Sequence, residues 1–423
     1  MTQSNDGDDT TSTTDTGDTG ETTDTPAYRP ARTLAVVGAM FLMAMSAAGP
    51  GFISQTGTFT AQYGASFAAA IVASVLIDIA VQLNVWRVVG VSGLRAQDLA
   101  NKVVPGSGYV LAGLIVVGGV VFCIGNISAT GAGLKNLFGL DPRIGAGVSA
   151  VLCILIFTYR ALDGTLDRAV LALGAVKIGL IVYLAVVTSP PVGQAALRTV
   201  APVGLDFLPI LTLIGGTVGG YITYAGAHRF LEAGTTGREN LRTITRGSVN
   251  GILVTLVIRV ALFLGILGTV SAGVALSKSD PVGSAFAFAA GPTGLALFGL
   301  VFWTAGKTST IGASFTSGTF LKTLSPFVAK RFNLSVSVFI AVSTVLYLLL
   351  GQTPAALLVF AGAFNGLILP FGLGVMLWVA WRRRDLLEGY RSPAWFLGIG
   401  VAAWVFTVVA GVLSLGQLPA IFR

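Results

Sequence analysis

Ala48-Gly49-Pro50-Gly51-Phe52 and Gly215-Gly216-Thr217-Val218-Gly219-Gly220-Tyr221 interrupt two stretches that otherwise have the composition of membrane helices. Glycine and proline at bilayer depth leave amides and carbonyls without intrahelical partners, and such backbone persists only where it is buried in protein or lines a cavity. The interruptions fall in the first and the sixth of eleven apolar stretches, matching places in two sets of five. Broken helices at corresponding positions of two halves point to a site near the bilayer midplane, between the halves.

The rest of the sequence agrees with that frame. Apolar residues make up 54% of the chain and charged residues 10%, which defines an integral membrane protein. Stretches of roughly 20 residues or more suffice to cross a bilayer as helices. They lie at about 33–63, 66–89, 108–134, 143–161, 166–188, 206–232, 247–275, 285–320, 334–351, 354–381 and 394–415. The expected fold is all-α, with a single membrane domain over residues 33–423. Residues 1–32, rich in Thr, Asp and Gly, have little to bury and are expected to form a disordered acidic cytoplasmic tail. They lack the basic start and short apolar core of a cleavable signal.

Lys and Arg are distributed unevenly about these spans. With the N-terminus cytoplasmic, seventeen of them fall on the inner side, including Arg87, Arg95, Arg238 and Arg382. Five fall on the outer side: Lys135, Arg143, Arg198, Lys278 and Arg423. This positive-inside asymmetry places the chain in a cell membrane with its C-terminus outside, and it accounts for the pI of 9.7 without a nucleic-acid partner. Cys123 and Cys153 both fall inside spans and read as buried small residues rather than as a loop disulfide or metal ligands.

Four cations remain at membrane depth or its margin: Lys177, Arg229, Arg259 and Lys307. Against them stand Asp78 and, near a helix end, Glu232. Each costs several kcal/mol unless paired or hydrated, roughly, so each is a functional candidate. The positive surplus favours an anionic ligand. Plainer roles are also open: Arg229 and Glu232 have the spacing of an i,i+3 ion pair, Arg259 can brace Asp78, and His228, the only histidine, is placed as an interfacial residue.

Several segments resemble the NRAMP family of transporters. Val88-Val89-Gly90-Val91-Ser92-Gly93-Leu94-Arg95-Ala96-Gln97-Asp98-Leu99-Ala100 is similar to the loop after that family's second helix. Ala305-Gly306-Lys307-Thr308-Ser309-Thr310-Ile311 resembles its eighth-helix signature, with Lys307 where glutamine is usual, and Ile368-Leu369-Pro370-Phe371 its tenth-helix Leu-Pro-Phe. The resemblance implies a LeuT-type fold of two inverted five-helix repeats with helices 1 and 6 broken. It also exposes departures. Where metal-transporting members carry Asp-Pro-Gly-Asn and Met-Pro-His, this chain has Gly49-Pro50-Gly51-Phe52 and Gly219-Gly220-Tyr221, so the metal-ligating side chains are missing. An acidic pair in the family's third helix falls on Cys123 and Asn126.

Glycine at both breaks enlarges the central volume and exposes amides at half-helix N-termini, whose dipoles favour carboxylate. The expected function is therefore a secondary active importer of a small organic carboxylate. Resemblance of the Tyr221–Arg229 stretch to NRAMP-like proteins associated with 5-oxoproline (pyroglutamate) use suggests that substrate. The expected binding residues are Gly49, Gly51, Ser54, Gly216, Thr217, Gly219, Gly220, Tyr221 and Lys307. Lys177, Asp78, Thr308 and Ser309 are expected to couple transport to protons, or to a sodium ion held by exposed carbonyls and hydroxyls. No metal site or other cofactor is expected. Two alternatives stay open: a divalent cation transporter for Mg2+ or Mn2+, and a non-transporting membrane sensor. An enzyme is not expected, since the chain shows no nucleophile–base pair and no phosphate loop.

Overall fold

The computed structural model describes residues 48–159 and 163–422. The expected acidic tail and the part of the first span before Ala48 lie outside the described residues. So do Arg160 and, at side-chain level, Arg168 and Arg229.

Among the described residues all regular structure is helical. In chain order the helices are α1 Pro50–Tyr63, α2 Phe67–Ser92, α3 Ala96–Val103, α4 Ser107–Phe138, α5 Pro142–Tyr159, α6 Asp163–Val187, α7 Val192–Val200, α8 Phe207–Thr217, α9 Tyr221–Glu232 and α10 Leu241–Ser271. They continue with α11 Pro281–Leu324, α12 Pro326–Lys330, α13 Phe332–Leu350, α14 Pro354–Arg382 and α15 Ala394–Ser414. Each expected apolar stretch overlaps one of these helices in its described part. By length and composition, eight described stretches can cross a membrane, or nine when Leu173–Val187 and Val192–Val200, bent by 101°, are taken as one. The difference from eleven has two sources. Pro50–Ser92 runs as one helical stretch through the short turn Gly64–Ser66, and Pro142–Thr158 is a shorter apolar helix.

The breaks follow local chemistry. Gly49 is extended and Pro50 opens α1, a position where the missing proline N–H costs nothing because that donor would have no helical partner. The sixth span is cut in two: α8 ends at Thr217, Val218 leaves helical geometry, and Gly220 takes φ +51°, which glycine adopts without a Cβ penalty. A third interruption was not expected. The 285–320 stretch belongs to the 44-residue α11, about 66 Å of helix at 1.5 Å per residue, far more than a bilayer needs. It kinks at Ala290 and Gly291, just before Pro292, so its first turns form a separate short segment.

The helices pack around α4 and α14. Glycines let them approach closely: a Cβ at Gly133 would meet the Trp303 backbone, and one at Gly215 would run into the backbone of Gly362 and Gly366. Packing of this kind, through small residues, holds membrane helices together where no hydrophobic effect can.

Candidate functional site

A cavity of about 780 Å³ opens at one end of the molecule. Its wall includes Thr58, Phe59 and Tyr63 of α1, Asp206 and Leu208 before and within α8, Ser277 and Lys278, Ala355, Ala356 and Val359 of α14, and Gln417, Ala420 and Phe422. All these segments lie on the face that the charge asymmetry assigns to the outside. The opposite end is tied together. Gly237 N–H donates to Gly90 O (3.0 Å), Trp86 Nε1 to Thr223 O (2.9 Å) and Arg87 Nε to Thr245 Oγ1 (3.0 Å). His228 joins this closure rather than an open interface. It is buried, stacks on Phe320, and its Nε2 accepts from the Ala96 N–H at 3.3 Å.

From this wall α1 itself continues toward the first break. One turn deeper than Thr58 and Phe59, Gln55 is fully buried and its Nε2 donates to Leu358 O at 3.2 Å, linking α1 to α14. Another turn deeper is Gly51, where an added Cβ would make ordinary contacts: 3.4 Å to the Phe122 ring and 3.6 Å to Gln55 Nε2. Phe122 packs edge-on against Tyr221, with centroids 5.5 Å apart, so the first break and the helix after the sixth meet across one ring. Ser54, on the same turn of α1 as Gly51, is buried.

At the sixth break the glycines do something different from what the sequence suggests. A Cβ at Gly216 would collide with the Gln55 carboxamide, and one at Gly220 with the Asn365 carboxamide. A Cβ at Gly219 would stand 2.9 Å from the Asn365 carbonyl oxygen. The expectation that these glycines open an empty central volume is corrected accordingly: their missing side chains make room for Gln55, Asn365 and the close approach of α14.

The buried charges are divided between the breaks. Lys177 reaches across from α6, and its Nζ donates to Ala48 O at 2.8 Å, immediately before the first break. Arg259 is 1% exposed, and its guanidinium carbon lies 4.2 Å from the Phe52 ring centroid, immediately after that break. Asp78, 2% exposed, turns to the sixth break, where its Oδ2 accepts from Thr217 Oγ1 at 2.6 Å. The direct ion pair expected between Arg259 and Asp78 is not formed, although the two charges act on each other at longer range. Among the described residues the ion pairs within 4 Å are Arg95–Glu232 (3.9 Å) and Arg383–Asp385 (2.8 Å). Glu232 therefore faces Arg95, across from the loop after α2.

Of the expected coupling residues, Lys177, Thr308 and Ser309 line one small cavity of about 40 Å³ between α6 and α11. Lys307 is not brought to the breaks. Its Nζ lies 3.4 Å from the Trp303 ring centroid, and its neighbour on that side is Cys153 of α5. Both cysteines are free and buried.

Two residues escaped the sequence reading, Gln55 and Asn365. Asn365 Nδ2 donates to Gly118 O (3.1 Å) and Ala361 O (2.9 Å), which fixes its orientation and leaves Oδ1 buried without a donor. Gln55 Oε1 and Asp78 Oδ1 are also buried acceptors without hydrogen-bond partners. The signal that could have found the first two is a carboxamide inside an apolar run; for Asn365, the flanking Gly362 and Gly366 add to it.

Comparison with known proteins agrees with this architecture. The chain is 47% identical over 388 residues to YcsG, an uncharacterized membrane protein of Bacillus subtilis, covering 92% of this chain and 96% of that one. It is 45% identical over 383 residues to an uncharacterized membrane protein of Haemophilus influenzae, with 90% and 95% covered. Its fold matches a manganese transporter of Eremococcus coleocola at a TM-score of 0.73 and 17% identity, covering 93% of this chain and 89% of that one. It also matches MhsT, solved in complex with L-phenylalanine, at a TM-score of 0.60 and 14% identity, with 91% and 98% covered. The fold is thus the LeuT type, shared by a transporter of a metal ion and a protein that binds an amino acid. The profile described as Natural resistance-associated macrophage protein-like matches residues 40–417, and the chain belongs to that family, Nramp.

Proposed function

We propose that this secondary membrane transporter of the Nramp family carries a small organic carboxylate, of which 5-oxoproline is the first to test, and couples its movement to protons. The observation that carries the proposal is the pair of buried cations at the first break. Lys177 lies on the carbonyl before it and Arg259 on the ring after it, while Asp78 is turned to Thr217. A cationic break lacking the family's ligand side chains suits a carboxylate better than a bare divalent ion. Entry from the 780 Å³ cavity would bring the substrate past Gln55 to Gly51 and Ser54, with Tyr221 closing the far side. A lysine amine held on a broken-helix carbonyl occupies a place where a coupling cation could bind. Proton exchange at Lys177 beside Thr308 and Ser309 is the coupling step this arrangement favours.

One set of observations favours a second reading, a divalent cation such as Mg2+ or Mn2+. Gln55 Oε1, Asn365 Oδ1 and Asp78 Oδ1 are buried oxygen acceptors without donors, and hard cations take oxygen ligands. Thermal unfolding of the purified protein separates the two readings. A ligand at a hundred times its dissociation constant adds about 2.7 kcal/mol. Stabilisation by 5-oxoproline and not by Mg2+ or Mn2+ supports the carboxylate; the reverse overturns it. In proteoliposomes, uptake driven by an inward proton gradient supports Lys177 coupling, whereas uptake that needs sodium and ignores pH overturns it.

A further inference from the structure

We infer that Gln55 is the specificity residue of this site and that its carboxamide oxygen accepts an N–H from the substrate. The inference rests on the carboxylate reading above and adds the second recognition element. A carboxylate alone needs only donors and positive charge, which the first break supplies. Gln55 contributes the opposite polarity.

Its orientation is fixed by its neighbours. Nε2 donates to Leu358 O, and exchanging the two amide atoms would set oxygen against oxygen. Oε1 is therefore the atom left without a partner, and it is fully buried. A desolvated acceptor with no donor is a standing cost to the fold that a suitable ligand removes. Two glycines on different helices accommodate the group: a Cβ at Gly216 would strike Oε1, and one at Gly362 would strike Nε2. A space shaped on two sides for one carboxamide is more than helix packing requires. Its location is also right for recognition. Gln55 lies one turn from Thr58 and Phe59 of the cavity wall and one turn from Gly51 at the break, and its partner Leu358 adjoins Val359 of the same wall. A ligand that moved along α1 from the cavity to the break would pass it.

The ligand class that follows is a small carboxylate with an N–H close to the acid group, such as a lactam acid. A site built around a buried acceptor discriminates against an analogue that presents oxygen in place of N–H, because two acceptors then face each other.

The test compares 5-oxoproline with its lactone analogue, in which ring oxygen replaces the N–H. Ligand-dependent thermal stabilisation is measured for wild type and for Gln55→Met, with size-exclusion profiles confirming that the variant is folded. The expected result is a preference of at least about tenfold for the lactam in wild type, reduced to near parity in Gln55→Met. Equal binding of lactam and lactone by wild type overturns the inference while leaving the carboxylate reading intact, and this arm needs no variant. A lactam preference that survives in Gln55→Met also overturns it. Binding of neither acid by wild type, with Mn2+ stabilising instead, removes the carboxylate reading and this inference together.

Discussion

The first and sixth helix breaks carry the same sequence signal, clustered glycine, yet glycine does different physical work in each. At Gly51 an added Cβ would touch the Phe122 ring at an ordinary distance. At Gly215, Gly216, Gly219 and Gly220 it would enter backbone or carboxamide groups of α1 and α14. The first break therefore has room for a methyl group and faces cations, Lys177 and Arg259. The sixth is tightly packed and faces acceptors, Asp78, Gln55 and Asn365. Positive charge beside one break and unpaired oxygens beside the other make the region between them dipolar, which the surplus of cations alone does not convey.

The largest test of this contrast is steric. Gly215→Leu should cost at least about 3 kcal/mol, since the collisions are with backbone that cannot rotate away. Gly220→Leu adds the penalty of a positive φ and should behave alike. Gly51→Ala should change stability by less than about 1 kcal/mol and still lower substrate affinity. Thermal unfolding and ligand stabilisation of the three variants decide it; equal tolerance at both breaks would remove the distinction. It also follows that leucine at Gly220 cannot serve as a clean probe of binding.

The charged walls come next. Arg259→Met should lower stability by about 2 kcal/mol, because a desolvated cation over Phe52 is lost and Asp78 keeps no cation nearby. Arg259→Met should also abolish uptake. If uptake persists, the positive wall does not belong to the site. Lys177→Met should keep substrate stabilisation but lose accumulation driven by a proton gradient, as measured in proteoliposomes. Loss of both would make Lys177 part of the binding wall instead.

The sequence carried the large features because they depend on local chemistry. Apolar length marks spans, and Gly-Pro-Gly or Gly-Gly marks where hydrogen bonding must stop, so a helix begins at Pro50 after the extended Gly49 and the sixth span breaks at Val218–Gly220 as expected. What stayed hidden depends on rotation about helix axes. Asp78 and Arg259 occur at compatible depths, but Thr217 claims the carboxylate and Phe52 the guanidinium, a choice made by tertiary packing. Gln55 and Asn365 were hidden for another reason. They carry no charge, so a search for ionised groups passes over them, although a buried carboxamide with one free oxygen is as specific a demand on a ligand.

Lys307 gives the smallest expected effect and the sharpest check on that rotational argument. Successive residues of a helix point about 100° apart. Thr308 and Ser309 face the small cavity they share with Lys177, and the backbone turn between them and Lys307 sends its ammonium onto Trp303, on the α5 side. Half-exposed cation–π contacts are worth about 0.5–1 kcal/mol. Lys307→Met should therefore cost no more than that in thermal unfolding and leave uptake and its proton dependence unchanged, whereas Ser309→Val, two residues on, should alter the proton dependence. If Lys307→Met instead abolished uptake, the side chain would have to swing from Trp303 toward the breaks during the transport cycle, and the cationic wall would extend from the first break to α11.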